Sequence, residues 1–380
     1  MVMAPHIRLV MSVTAMLLLT CVVSCNKFNF GYDENNPGGM RPNESYLNFS
    51  LSWDKAGLSS DETPEEVTVV MSRKINSLHY VWNLDGKGNH LLPGVAEDEK
   101  TTPTIFNGDY YTVAFSDCGG FYEVIGSDEF AEDASSSMLN LYIRIPEIAE
   151  DEMSMNKDMA DFNPYAGFIH SADKPLCLDI IKDLVFPSET SVTLRPETAT
   201  RQLAFRIAVN AGSGVTIDRI SGVLSGVADR VQLMSGLMTD THTAKVKFDF
   251  EKCGTELRED KVYDIYEGSL NVLGLFPPAD SRHMTGPGIL QISVIASVSE
   301  RDQVRQRVFH TGLNLKSIIE GAGLMIQASD RSGYLMRPQG DISRFDIAQG
   351  LTVMKSYILA SEAEGQEQWF ENETEIMPEI

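Results

Sequence analysis

The residue whose type and surroundings most directly specify chemistry is Cys25. It closes the run Val22-Val23-Ser24-Cys25. An aliphatic residue, a spacer, a small residue and then Cys is the pattern of a lipoprotein signal: the thiol receives a diacylglyceryl group and a signal peptidase then cuts before it. The preceding segment fits. Arg8 supplies a positive start, and Leu9 to Val23 is apolar apart from Ser12, Thr14 and Thr20. About 15 apolar residues are too few for a typical spanning helix but suit a signal segment. Cys21 follows Leu18-Leu19-Thr20 and lacks the small residue. Residues 1–24 therefore read as a signal peptide and Cys25 as the lipid attachment site. Acyl chains hold a protein stably only when two or more act together, and a processed bacterial lipoprotein carries three. Asn26 stands where Asp would favour inner-membrane retention. The expected location is the outer membrane and cell surface, with membrane contact through the N-terminal lipid only.

Other constellations are weak. Ser171-Ala-Asp-Lys174 matches the SxxK start of a penicillin-binding-type nucleophile, but the companion Lys-Thr-Gly is absent. There is no phosphate loop and no HExxH. The seven His are scattered, without the spacing that lets two ligate one ion. Asp85-Gly86-Lys87-Gly88-Asn89 lacks the ligand spacing and closing Glu of a calcium loop and reads as a turn. Glu147 to Asp161 is acidic and reads as a solvated loop. Trp53, Trp82 and Trp369 could stack on sugar rings, although Trp53 keeps register with Leu47, Phe49 and Leu51, which favours burial. No catalytic, cofactor-binding or metal-ligating residue is assigned, and the chain is not expected to be an enzyme. A carbohydrate-binding surface lipoprotein is the alternative to the reading below.

The formal net charge is −23, and loss of residues 1–24, whose only charged residue is Arg8, makes it one unit more negative. Such a chain repels nucleic acid and anionic headgroups. Beyond Cys25 the cysteines are Cys118, Cys177 and Cys253. An odd, widely spaced set gives no disulfide framework and no CxxC metal site. Free, at least partly buried thiols, with room for one pair, are expected.

The elements behind these residues read as strands. Leu47, Phe49, Leu51 and Trp53 alternate with polar neighbours, as do Leu139, Leu141, Ile143 and Ile145. Leu203, Phe205, Ile207 and Val209 form a further row; so do Val246, Phe248 and Phe250, and Leu290, Ile292, Val294 and Val298. Period-two alternation gives a strand one core face and one wet face. Shorter candidates are Val67–Met71, His79–Trp82, Tyr110–Phe115, Val192–Leu194 and Leu270–Leu273. Ser299-Glu300-Arg301-Asp302 is expected to turn a hairpin. Leu315–Glu320 is the one short helix expected, capped by Gly321.

Many short strands separated by turns imply an all-β sandwich or barrel. Residues 25–44 carry Gly31, Pro37, Gly38, Gly39 and Pro42 and read as a flexible tether. Pro164 to Phe186 looks irregular, and a seam follows at Pro187-Ser188-Glu189-Thr190. This divides the body into domains over 45–188 and 189–360. Residues 361–380 hold seven Glu and no Lys or Arg, and are expected to be a solvated, mobile tail.

With Cys25 in its lipobox and two β-rich halves, the opening of the second half carries a resemblance. Val192-Thr-Leu-Arg-Pro196 precedes Leu203–Val209, then Ile220-Ser-Gly-Val-Leu-Ser-Gly-Val-Ala228 and Val231-Gln-Leu-Met-Ser-Gly236, with Asn271-Val-Leu-Gly-Leu275 further on. The layout resembles the fimbrillin-like lipoproteins of the Bacteroidia, in particular the fimbrium anchor (FimB-type) branch, over most of the chain beyond Cys25. The resemblance implies two tandem transthyretin-like Greek-key β-sandwich domains. It also implies anchoring or assembly of a fimbrium, with other fimbrial subunits as partners by strand exchange. Shaft subunits of this group are cut after a basic residue to free a groove. Here the only Arg between Cys25 and Arg73 is Arg41, and Pro42 follows it. Proline after the scissile residue blocks trypsin-like cleavage, so the strand Leu47–Trp53 is expected to stay attached.

Overall fold

The computed structural model describes residues 43–58, 63–75, 79–91, 104–117, 120–126, 140–148, 166–187, 191–238, 243–258, 260–280, 285–301, 303–322, 325–327, 334–336, 343–360, 369–370 and 374–375. The chain is almost wholly β, as its alternating rows require. Among the described residues one short helix, Lys316–Gly321, lies one residue beyond the span expected, with Gly321 as its last residue and Ala322, not Gly321, as its C-cap.

The N-terminal part centres on a five-stranded sheet ordered Glu197–Thr198, Cys177–Phe186, Gly108–Asp117, Glu66–Arg73, His79–Asp85. All its pairings are antiparallel. Val67, Val69 and Met71 project from one face into a small core with Leu47, Tyr80, Trp82, Leu84 and Tyr110. Val70, Val113, Phe115 and Leu178 leave the other face and join a larger core. The sheet is thus buried on both sides, which explains the near-continuous apolar run of Glu66–Arg73.

The larger body is a curled sheet folded into two layers around one strand, Thr243–Arg258. Its first half pairs with Ile220–Ala228, and Val215–Leu224 continues to Ile289–Glu300 and then Gln303–Asn314. Its second half pairs with Lys261–Val272, which leads to Arg201–Ala211, Ser343–Val353 and Ile358–Ala360. Leu203, Phe205, Ile207 and Val209 pack against Leu224, Phe248, Ile292 and Val294 in one core. The Phe205 ring stacks on Phe248 at 5.4 Å and on Phe345 at 5.2 Å. This is the β-sandwich expected of two inner faces that alternate with polar outer ones.

Several placements differ from the sequence reading. Cys177–Phe186 is a ten-residue strand inside the first sheet, not an irregular stretch. Its alternation is hidden by a bulge between Ile181 and Leu184, where Lys182 and Asp183 together face Tyr111. The extra residue flips the faces: Leu178 points to the large core, whereas Leu184 and Phe186 point to the small one. Past Pro187 the chain has not left the small core, because Val192 and Leu194 pack there with Leu47. Arg201 is where it enters the sandwich. Earlier segments also reach across. Tyr142–Arg144 pairs with Arg230–Gln232, and Gly167–Ile169 lies parallel to Ala244–Val246. The tail, expected to be solvated and mobile, contributes Trp369–Phe370 and Thr374–Glu375, both paired antiparallel with Gln303–Asn314. An open edge strand leaves backbone donors and acceptors unmet, and a short paired segment satisfies them.

Candidate assembly interface

The first strand is built into the small core from three sides. Glu44–Tyr46 pairs antiparallel with Thr104–Phe106, and after one residue Asn48–Leu51 pairs parallel with Ser191–Leu194. The residue between them, Leu47, is fully buried. Phe49, Leu51 and Trp53 pack at the margin of the same core. The chain therefore switches partner at Leu47 and drives that side chain inward.

Side chains reinforce the pairing. Ser45 Oγ donates to Asn107 Oδ1 at 2.6 Å, and the Asn107 N–H donates to the Asn43 carbonyl at 2.7 Å. Ser50 Oγ donates to Thr193 Oγ1 at 3.0 Å, and the Ser52 N–H to the Leu194 carbonyl at 2.9 Å. The strand's neighbour is itself held by two buried tyrosines. Tyr110 donates its hydroxyl to the Phe106 carbonyl at 2.6 Å, and the Phe106 N–H donates to the Tyr80 hydroxyl at 3.2 Å. Burial raises the pKa of both phenols, so they stay protonated and able to donate.

The third side is the turn Asp85–Asn89. Asp85 Oδ1 accepts from the N–H groups of Lys87 and Asn89, and Oδ2 accepts from Asn89 Nδ2 at 2.7 Å. The carboxylate is thus spent on closing the turn. Gly88 has φ +95°, and a Cβ there would sit 3.1 Å from both Ser50 Cα and Leu51 N. A glycine is required both for the backbone conformation and for the close approach to the strand. Trp53 Nε1 donates to the Gly86 carbonyl at 2.9 Å. His90, just past the turn, packs its ring against Phe49 and Trp82 at 5.5 and 6.4 Å. Burial lowers its pKa, because an apolar pocket disfavours the charged ring.

The remaining sequence candidates fall into structural roles or outside the described residues. Cys25, Arg41 and Pro42 lie outside them, as do Cys118 and most of the acidic loop Glu147–Asp161. Ser171 of the SxxK match accepts a hydrogen bond from the Asn271 N–H at 2.9 Å and ties two segments together. Trp82 is buried and stacks on Tyr80 with ring centroids 5.3 Å apart, so neither of its faces meets solvent for a sugar ring. Cys177 is buried, with its Sγ 4.0 Å from Thr198 Oγ1. Cys253 is free but exposed, on a bulge of Thr243–Arg258, against the expectation of burial. Among the described residues no His, Cys, Asp and Glu group is arranged to hold a metal, and no helix is long and apolar enough to cross a membrane.

Sequence reasoning found the first strand and the strand at Val192–Leu194, but missed Thr104–Phe106 and the pairing of the first strand with Ser191–Leu194. Thr104–Phe106 is only three residues long, and Ser191–Leu194 lies about 140 residues away along the chain, a parallel contact that carries no local signal.

No protein-family model matches the chain, and no curated protein matches it. Solved structures with a similar course include a candidate adhesin of Bacteroides ovatus, at 12% identity and a TM-score of 0.48, over 84% of this chain and 98% of that one. The fimbrial anchor protein Mfa2 of Porphyromonas gingivalis aligns at 13% identity and a TM-score of 0.37, over 87% of this chain and 99% of that one. A candidate polysaccharide binding protein of Bacteroides thetaiotaomicron aligns at 9% and 0.35, over 87% and 98%.

Proposed function

We propose that this chain is a non-catalytic surface lipoprotein, attached to the outer membrane through Cys25, that anchors or helps to assemble a fimbrium and so supports adhesion. Fimbrial subunits join it by strand exchange: an extended segment of one chain completes the sheet of another, with main-chain hydrogen bonds for affinity and alternate side chains for specificity. The observation that carries the reading is the seating of the first strand. Leu47 is fully buried, and its flanking residues pair with two different strands. A subunit that keeps this strand keeps its own groove filled. It can terminate a polymer but not receive the next subunit there.

The lipid supplies the fixed end, and the Gly- and Pro-containing segment 25–42 supplies reach. The excess of negative charge keeps the body off an anionic membrane surface. The experiment is affinity isolation of the full chain from the outer membrane of its own cells. The reading expects fimbrial subunits in the eluate, and expects their loss from the membrane fraction when the gene is deleted. An eluate without fimbrial subunits, with fimbriae retained on the deleted strain, contradicts it.

A further inference from the structure

Gln303–Asn314 is the last long strand of the half of the sandwich that begins at the corner strand Thr243–Arg258. One of its edges pairs with Ile289–Glu300 along the whole length. The other edge is taken by the acidic C-terminal segment of the same chain. Trp369 stands opposite Gly312 and Phe370 opposite Thr311. Further along, Thr374 stands opposite Val308 and Glu375 opposite Arg307. An aromatic residue opposite a glycine is a favoured pair at a sheet edge. The antiparallel register runs the segment toward the hairpin end of the strand.

Backbone pairing of this extent does not hold an extended segment by itself, because ordering each residue costs about as much as one hydrogen bond returns. The overall charge opposes the contact further. Residues 361–380 hold seven Glu and no Lys or Arg, and the whole chain has a formal net charge of −23. An acidic segment is repelled by an acidic body. The surface beneath it has the opposite sign. Gln303–Asn314 carries Arg305 and Arg307 and no Asp or Glu. Arg307 donates to the Lys355 carbonyl, and Lys355 Nζ donates to the Ser299 carbonyl at 2.9 Å, which gathers both cations at the hairpin end with Arg301. The acids of this end are Glu300, 3.4 Å from Arg307, and Asp302, set against Arg301, Arg305, Arg307 and Lys355.

We infer that this C-terminal segment is an electrostatic clasp: the chain's own carboxylates at Glu371, Glu373 and Glu375, set against Arg305, Arg307 and Lys355, hold it on Gln303–Asn314 and close that edge to any other strand. Glu371 and Glu373 lie between the two paired stretches, and Glu375 lies in the second. A single exposed ion pair contributes little, but several charges of one sign beside a cluster of the other act together. Salt screens them, so the clasp opens as ionic strength rises and bares the strand edge. The inference stands apart from the fimbrial reading.

The test is amide hydrogen exchange of the full chain, read in a peptide covering residues 369–375. The Debye length falls from about 10 Å at about 0.1 M salt to about 3 Å at about 1 M. These amides are expected to be protected at the lower salt and to exchange at least about tenfold faster at the higher. This comparison needs no substitution. Glu371→Gln, Glu373→Gln and Glu375→Gln together keep side-chain shape and remove charge. That variant is expected to exchange at the lower salt as fast as the parent does at the higher, and to respond little to salt. Arg305→Gln, an exposed change on the accepting strand, is expected to speed exchange at least about twofold. Amides of the core strand Arg201–Ala211 are expected to match in all three proteins. The proposal is overturned by unprotected amides at the lower salt, by protection indifferent to salt, by either variant behaving as the parent, or by protection that rises with protein concentration, which marks pairing between two copies of the chain.

Discussion

Phe49 and Trp82 meet edge to face, with ring centroids 5.6 Å apart and planes at 61°. The first belongs to Asn48–Leu51 and the second to His79–Asp85, an outer strand of the five-stranded sheet. Their contact ties the strand that opens the described residues to the five-stranded sheet. Aromatic pairs of this geometry contribute about 0.5–1.5 kcal/mol beyond the area they bury. Together with the buried Leu47, they make the first strand an integral part of the core.

That integration has a direct energetic consequence. Leu47→Ala leaves a cavity in a packed core and is expected to cost about 2–5 kcal/mol. Leu257→Ala, at an exposed site, is expected to change stability by no more than about 0.5 kcal/mol. Urea denaturation of both variants beside the parent chain checks the contrast. Equal midpoints would show that the first strand does not contribute to the cooperative core.

The turn over the strand makes a backbone prediction. Gly88→Ala places a Cβ at 3.1 Å from the strand backbone and forces a residue with a Cβ to φ +95°. A loss of about 1–3 kcal/mol is expected. Limited proteolysis is expected to cut near residues 43–53 sooner than in the parent. An unchanged digestion pattern would mean that the turn does not clamp the strand.

His90 gives the fold a pH dependence of known sign. Burial against Phe49 and Trp82 lowers its folded pKa below the unfolded value of about 6.5. The unfolded chain then binds the proton more readily. The contribution of His90 is fully present above about pH 6.5 and is lost as pH falls toward the folded pKa. Denaturation midpoints at pH 7.5 and pH 5 are expected to differ less in His90→Phe than in the parent. An identical pH response in the two proteins would remove His90 as the source.

The cysteines are distinguished by exposure. Cys253 is exposed on its bulge and Cys177 is buried. In the native chain a maleimide is expected to label Cys253 within minutes and to reach Cys177 only after denaturation, since access and thiolate fraction set the rate. Peptide mass spectrometry of the labelled protein reads both sites. Rapid native labelling of Cys177 would show that its strand opens.

Legibility from sequence followed exposure. Strands with one wet face announce themselves: Leu203, Phe205, Ile207 and Val209 lie in the core of Arg201–Ala211. The hairpin at Ser299–Asp302 closes with Glu300 opposite Gln303. The helix over Leu315–Glu320 appears as Lys316–Gly321. Where period two fails, so does the reading. The bulge at Lys182 and Asp183 hid Cys177–Phe186. The corner strand was visible only through Phe250, because beyond it the side chains leave the core and alternation carries no signal. Of the candidate interface, Leu47, Phe49 and Leu51 were legible as a strand. Ser191–Leu194 was legible as a strand too, through Val192 and Leu194, but its parallel pairing with Asn48–Leu51 was not, since pairing at that separation is decided by tertiary packing.

The central claim is that the chain keeps its first strand while held by lipid at Cys25. The most direct measurement is the N-terminal peptide of the protein isolated from the cell surface, read by mass spectrometry. The account predicts an acylated Cys25 continuous in sequence through Leu47, and predicts that Cys25→Ala abolishes labelling by radioactive palmitate. An N-terminus at Pro42, produced by cleavage after Arg41, or undiminished labelling of the variant, would contradict it.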